Sequence, residues 1–310
     1  MKKIQSERLD ANENIFFARE LEATKARSYD VKYPMLKARS LFPVSYEAGP
    51  GAETIKYEQF DQVGLAKVVS SYAHDFPRAD VKGKEFRSPI KSLGASYGYN
   101  IQEVRAAALA NKPLEQRRAS AAKRAILQAE NTIAFAGDSE YNLPGFFSNT
   151  NIPLVTVPAD GTGASTFFSA KTPDQIIRDV NTLINAIPSA TFGIEVANTV
   201  LFPIEQFTYM STTPRSSTSD TTILEFLKAN HPEITMWDWL NELNASASFS
   251  GLDAMVAYRR DPEVLTLEIP SDFEQFAPQE EGLDFVVPCH ERMGGVIVYY
   301  PLACSFAKGI

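Results

Sequence analysis

The stretch of roughly eighty residues from Tyr57 to Asp138 limits the possible folds of this chain more than any other part of it. An extended, turn-punctuated and heavily charged segment, Tyr57 to Tyr99, runs into a helix start at Asn100, and a long Ala-rich helix then closes at Ala136-Gly137-Asp138. Glu53 to Phe60 alternates by twos through Ile55 and Tyr57, which is a strand signal. Asp80-Val81-Lys82-Gly83-Lys84 reads as a turn, with charges on both sides that place it in water. Lys84 to Tyr99 then returns as a second extended run, with Pro89 marking an edge position. Charges are many and contiguous apolar runs few, so this part cannot bury itself as a two-layer unit. A polar hairpin of this length is predicted to be completed by another copy of the chain, which points to assembly rather than to a pocket.

The helices are well marked. Asn100 with Glu103 forms a capping-box-like start for a helix over Ile101–Ala110. Asn111-Lys112-Pro113 interrupts it, and Pro113 suits the first turn of a new helix. Leu114 to Ala136 carries Leu114, Ala121, Ala125, Ala129 and Ile133 as its expected apolar stripe, with Arg117, Arg118, Lys123 and Arg124 mostly on other faces. At ~1.5 Å per residue this helix runs about 35 Å, and Gly137 is its left-handed stop. Tyr141 to Thr166 is loop-like. Thr172, Pro173 and Gln175 open a further helix whose Ile176, Val180, Leu183, Ile184 and Ile187 share a face. Strands are expected at Thr199–Phe202, Ala254–Tyr258, Val264–Ile269 and, most strongly, Gly295–Pro301; a helix is expected at Ile223–Ala229, and a polar loop at Thr212–Thr222. The mixture is α+β, without the regular alternation of a doubly wound sheet.

Composition removes several function classes. The 310 residues are 44% hydrophobic and 22% charged, as in a folded soluble protein. A net charge of −8 argues against a dedicated nucleic-acid binder. The charge is uneven: residues 1–40 hold nine Lys/Arg against six Asp/Glu, a net of +3, whereas residues 261–290 hold eight Asp/Glu and no Lys or Arg. The basic arm and the acidic surface could attract each other between copies, or each could be a solvated face. Two cysteines, Cys289 and Cys304, make no disulfide framework. Gln5-Ser6-Glu7-Arg8 stands where a signal peptide needs an apolar run, and no segment approaches the ~18 apolar residues of a membrane span, so synthesis in the cytosol is expected.

The catalytic inventory comes out empty. Gly94-Ala95-Ser96-Tyr97-Gly98 matches the nucleophile elbow of serine hydrolases, but that elbow needs a buried parallel strand before the serine and a helix directly after it. The preceding residues here are charged and include Pro89, so a strand with small residues is the simpler reading, and a hydrolase using Ser96 stands as the alternative from another class. His74, His231 and His290 show no metal-binding spacing, and Cys289-His290 with Cys304 lacks a fourth ligand. Gly161-Thr162-Gly163 lacks the rest of a phosphate-binding fingerprint. Asp272, Glu274, Glu280, Glu281 and Asp284 could hold a cation or form a solvated face, and the basic stripe Arg117, Arg118, Lys123, Arg124 has no interleaved aromatics. No cofactor or metal is predicted.

Leu41-Phe42-Pro43-Val44, Phe60-Asp61-Gln62-Val63-Gly64-Leu65-Ala66, Asp75-Phe76-Pro77-Arg78, Gly137-Asp138, Val264–Ile269 and Arg292 to Ala303 follow one another in an order that resembles the major capsid proteins of tailed bacteriophages, with the Hong Kong 97-like fold. The resemblance covers most of the chain from about residue 40. It implies an N-terminal arm (1–43), an extended loop (44–99), a peripheral domain with a spine helix (100–189, spine 114–136), an axial domain (190–285) and a closing strand returning to the peripheral domain (286–310). It further implies a non-enzymatic subunit that self-assembles through hexamers and pentamers into an icosahedral head around double-stranded DNA, in the host bacterial cytoplasm. Portal and decoration proteins, and a separate scaffold or none, are its possible partners, and no membrane is involved. Asp75, Arg78, Lys82, Gly83, Lys84, Arg117 and Arg118 are the expected inter-subunit contacts. An encapsulin-like nanocompartment shell shares the fold and remains the alternative.

Overall fold

The computed structural model describes residues 32–63, 80–110, 114–216, 218 and 220–310. In chain order the elements are α1 (Ala38–Leu41), β1 (Val44–Ser45), β2 (Thr54–Val63), β3 (Asp80–Pro89), β4 (Lys91–Asn100), α2 (Ile101–Ala110), α3 (Leu114–Ala136) and β5 (Leu154–Thr156). Next come α4 (Pro173–Ala190), β6 (Thr199–Phe202), α5 (Ile204–Thr212), α6 (Ile223–Asn230), β7 (Met236–Trp239) and β8 (Ala254–Tyr258). The chain ends with β9 (Leu265–Glu268), β10 (Ser271–Gln275), β11 (Gln279–Glu281), β12 (Asp284–Met293), β13 (Gly295–Val298) and β14 (Cys304–Lys308).

A five-stranded sheet in the order β5-β14-β8-β6-β7 separates two cores. Alternate residues of its strands face opposite ways. Val200, Phe202, Met255, Ala257 and Ala307 join the buried face of α4 and the apolar residues of α6. Leu201, Val256, Tyr258 and Phe306 join an aromatic core with Phe42, Phe135, Phe146, Phe147 and Phe249. Covering on both faces explains why Thr199-Val200-Leu201-Phe202 is buried along its whole length. The expected α4 face is buried in full, and both sides of the Thr172 capping box form.

A second sheet is built on β12, which pairs with β4 along one edge and with β10 and β11 along the other. The spine helix α3 lies on this sheet through Ala122 and Ile126, against Tyr97, Val287 and Cys289. Here the expected stripe is corrected by one residue, since Ala121 and Ala125 are exposed while Ala122, Ile126, Glu130 and Ile133 are buried. The cause is the polar Glu130 in the inward row, which hides the true face from an apolar-only pattern. Gly137 ends α3 with φ +76 as expected. It also lies so close to Gly145 that a Cβ on Gly145 would stand 2.1 Å from the Gly137 nitrogen. That approach lets the amides of Phe146 and Phe147 reach the Ala134 and Phe135 carbonyls (2.9 and 2.8 Å), which the helix end leaves open.

The acidic stretch 261–290 is largely the solvated face that its composition allows: Glu263, Asp272, Glu274, Glu280, Glu281 and Asp284 are exposed, Glu268 is its one buried acid, and Glu291 just beyond it is buried too. β12 alternates between inward and outward residues. The short α5, β7 and β14 are further elements that the expected pattern lacks.

Candidate assembly interface

Among the described residues β2 and β3 pair only with each other, in antiparallel register from Thr54↔Pro89 to Val63↔Asp80. Asp80 to Lys84 is therefore strand and not the turn expected from its sequence: Lys82 faces Asp61, Gly83 faces Phe60 and Lys84 faces Gln59. The connection, residues 64–79, lies outside the described residues, and with it Asp75, Arg78 and His74. A glycine flanked by lysines mimics a turn, but its cause here is cross-strand packing. A Cβ on Gly83 would stand 2.9 Å from the Phe60 ring, so the ring covers the glycine.

The root of the hairpin is fastened to the body. Tyr57 stacks on Phe86 at 5.1 Å and meets Tyr299 edge-on at 5.0 Å. The Gln59 amide donates to the Tyr299 carbonyl at 2.7 Å. Along the strands Lys56 bridges Glu58 and Glu85, and Arg87 also reaches Glu85. The Lys84 ammonium sits 4.8 Å from the Phe86 ring centroid. Farther out the apolar residues find less cover: Phe60 is 65% exposed and Val81 59%.

Arg118 is occupied within its own subunit. Its guanidinium grips Glu103 at 2.8 and 3.1 Å and also donates to the Gly98 carbonyl, clasping α3 to the start of α2. The Arg118 bonds, followed by the Asn100 amide, hold the Glu103 carboxyl below the usual carboxylate range. The amide of Asn100 does donate to Glu103 at 3.2 Å, as the capping-box spacing expects. Arg117 is exposed on the same helix. The structure brings Lys82, Gly83 and Lys84 together on β3 and sets Arg117 and Arg118 apart from them on α3.

Ser96 lies exposed in the middle of β4, opposite Pro288 of an antiparallel partner. Four residues separate it from α2, so the strand–serine–helix elbow is absent. Among the described residues no group of three or more His, Cys, Asp or Glu side chains is placed to hold a metal ion, and no helix is long and apolar enough to cross a membrane. Of the five acids weighed as a cation site, Asp272 pairs with Arg39 and Asp284 accepts from Asn100. Arg39 itself was no part of the sequence-based set. Its only signal is a charge set between Ala38 and Leu41, two apolar residues that α1 buries.

The family model for the major capsid protein matches residues 64–310. No curated protein matches the sequence. Among solved structures, the capsid of Myoviridae phage XM1 superposes with a TM-score of 0.82 at 17% identity, covering 96% of this chain and 99% of that one. The Mycobacterium phage Bobi structure gives 0.65 at 11% identity, covering 93% and 94%. The virus-like particle from Pyrococcus furiosus gives 0.53 at 15% identity, covering 86% and 90%. The fold is that of the Hong Kong 97-like capsid proteins.

Proposed function

This chain belongs to the major capsid protein family, and from that premise we propose that it self-assembles into the icosahedral head of a tailed phage, enclosing double-stranded DNA. The observation that carries the reading is a hairpin with two ten-residue strands, tied to its own subunit at the root and exposing Phe60 and Val81 farther out. A neighbouring copy supplies the missing cover. Symmetric reuse of such contacts closes a shell, and several neighbours hold each subunit at once. The arm (1–43), extended loop (44–99), peripheral domain (100–189), axial domain (190–285) and closing segment (286–310) are the division this reading assigns. Asp75, Arg78, Lys82, Gly83, Lys84, Arg117 and Arg118 are its proposed inter-subunit contacts, with Arg118 acting from within its Glu103 clasp.

The subunit is non-enzymatic in this reading, and Ser96 is a strand residue. Assembly takes place in the host cytoplasm, with portal, scaffold and decoration proteins as further partners, and the DNA is enclosed without sequence-specific contacts. The net charge of −8 keeps a packaged polyanion off the inner wall. The test is a double variant, Phe60→Asp with Val81→Asp, examined by electron microscopy and by thermal unfolding. The expected result is a subunit that melts within a few degrees of the parent and yields no closed shells. Normal shells at full yield would remove the hairpin from the assembly mechanism.

A further inference from the structure

Three carboxylates converge on one guanidinium where α1, α3, β10 and β12 meet. Arg39 Nε donates to Glu130 Oε1 at 2.8 Å, and its Nη2 lies 2.7 Å from Glu130 Oε2, 2.9 Å from Asp272 Oδ1 and 3.1 Å from Glu291 Oε1. Nη2 carries two hydrogens and has three acceptors. Glu130 takes the two-pronged contact, and Glu291 receives what is left. The side chains of Glu130 and Glu291 are 2% and 0% exposed, whereas Asp272 is 55% exposed and reaches water. Glu291 Oε2 is buried with no hydrogen-bond partner. Two fully buried carboxylates facing one cation cannot both stay ionised without a large desolvation cost. A proton on Glu291 removes that cost, because the acid then donates to the Glu130 carboxylate within its reach.

We propose that Glu130 and Glu291 hold one proton between them, and that this proton latches the α1 turn to the spine helix and the β12 sheet, releasing it as pH rises. The surroundings favour this sign. From α1 the facing group is Arg39; from α3 it is Glu130, with Lys123 acting on Asp272; from β10 it is Asp272. On β12 the neighbours on the same inward face are Cys289 and Met293, and across the ladder on β4 stands the apolar Leu93, with the Lys91 ammonium over Tyr141. Burial first, then Glu130, push the Glu291 carboxyl from 4.5 up to about 8, against the pull of Arg39. The closed latch therefore binds one proton more than an opened, solvated one between these two values. Each pH unit in that window lowers the closing equilibrium by up to a factor of ten, and the effect levels off above about 8.

The measurement is amide hydrogen exchange on the full-length protein across pH, corrected for intrinsic rates, in peptides spanning 37–45 and 126–136. Glu291→Gln is the comparator, since its amide donates to Glu130 without titrating. The expected ratio of wild-type to variant opening rises toward tenfold per pH unit from about 5 to 8 and is flat beyond. Parallel profiles overturn the latch. An infrared titration of the wild-type protein serves if the variant does not fold. A protonated-carboxyl carbonyl band that persists at neutral pH and vanishes with a midpoint near 8 supports the shared proton. Its absence at neutral pH refutes it.

Discussion

Replacing Phe146 with Ala tests whether the aromatic core holds the end of the spine helix. Phe146 is fully buried, with ring centroids of Phe42, Tyr258 and Phe306 at 5.1, 5.2 and 5.2 Å and that of Phe147 at 5.7 Å. Its backbone is fixed as well, by the bond from its amide to the Ala134 carbonyl at 2.9 Å. With neighbours on all sides, the site has little room to collapse, so the loss should lie in the ~3–5 kcal/mol range for Phe→Ala in a core. At roughly 2 °C per kcal/mol for a chain of this size, the melting point of the unassembled subunit falls by about 6–10 °C. Urea unfolding should show a lower midpoint with an unchanged slope. Phe146→Leu restores most of the volume and gives up only the ring pairing, worth about 0.5–1.5 kcal/mol. A loss below about 1 kcal/mol for the alanine variant would mean that the α3 end is held by its backbone bonds alone.

Two further substitutions probe α4. Thr172→Ala removes one half of the capping box, whose hydroxyl accepts from the Gln175 amide at 3.4 Å; a cost of about 1 kcal/mol is expected in urea unfolding, and no change would show that Gln175 alone caps the helix. Asp179→Ala strands the Lys171 ammonium, which is 0% exposed and would keep only Asp160 at 3.4 Å; the expected loss is about 3–5 kcal/mol, and near-neutral stability would mean that Lys171 leaves its burial when unpaired.

Sequence legibility followed the kind of force at work. α4 was legible because capping, periodicity and an apolar face all name the same residues, and the structure buries that face. β6 was legible because a sheet covered on both sides leaves a continuous apolar run. The α3 stripe slipped by one residue because the inward row contains Glu130, an acid whose partner Arg39 lies 91 residues away in sequence. The hairpin turn was misplaced because Gly83 answers to Phe60 across the strand, a contact that local turn rules do not include. β12 was hidden for a similar reason. Its strand alternation carries Glu291 inward, and an acid beside His290 and Arg292 breaks the apolar half of the pattern that would have marked the strand.

The charge asymmetry between the basic first forty residues and the acidic stretch 261–290 now divides into two parts. One attraction between them is consumed inside a single copy, since Arg39 bonds Asp272 at 2.9 Å at the joint of α1 with the β12 sheet. The hairpin is different. Its ladders are laced by exposed pairs such as Lys56–Glu85, which water and salt screen, and by one aromatic stack at the root. The body has three packed clusters; among the described residues the outer part of β2 and β3 contributes to none of them. Stability gained on assembly should therefore concentrate in β2 and β3, while the body that carries them changes little.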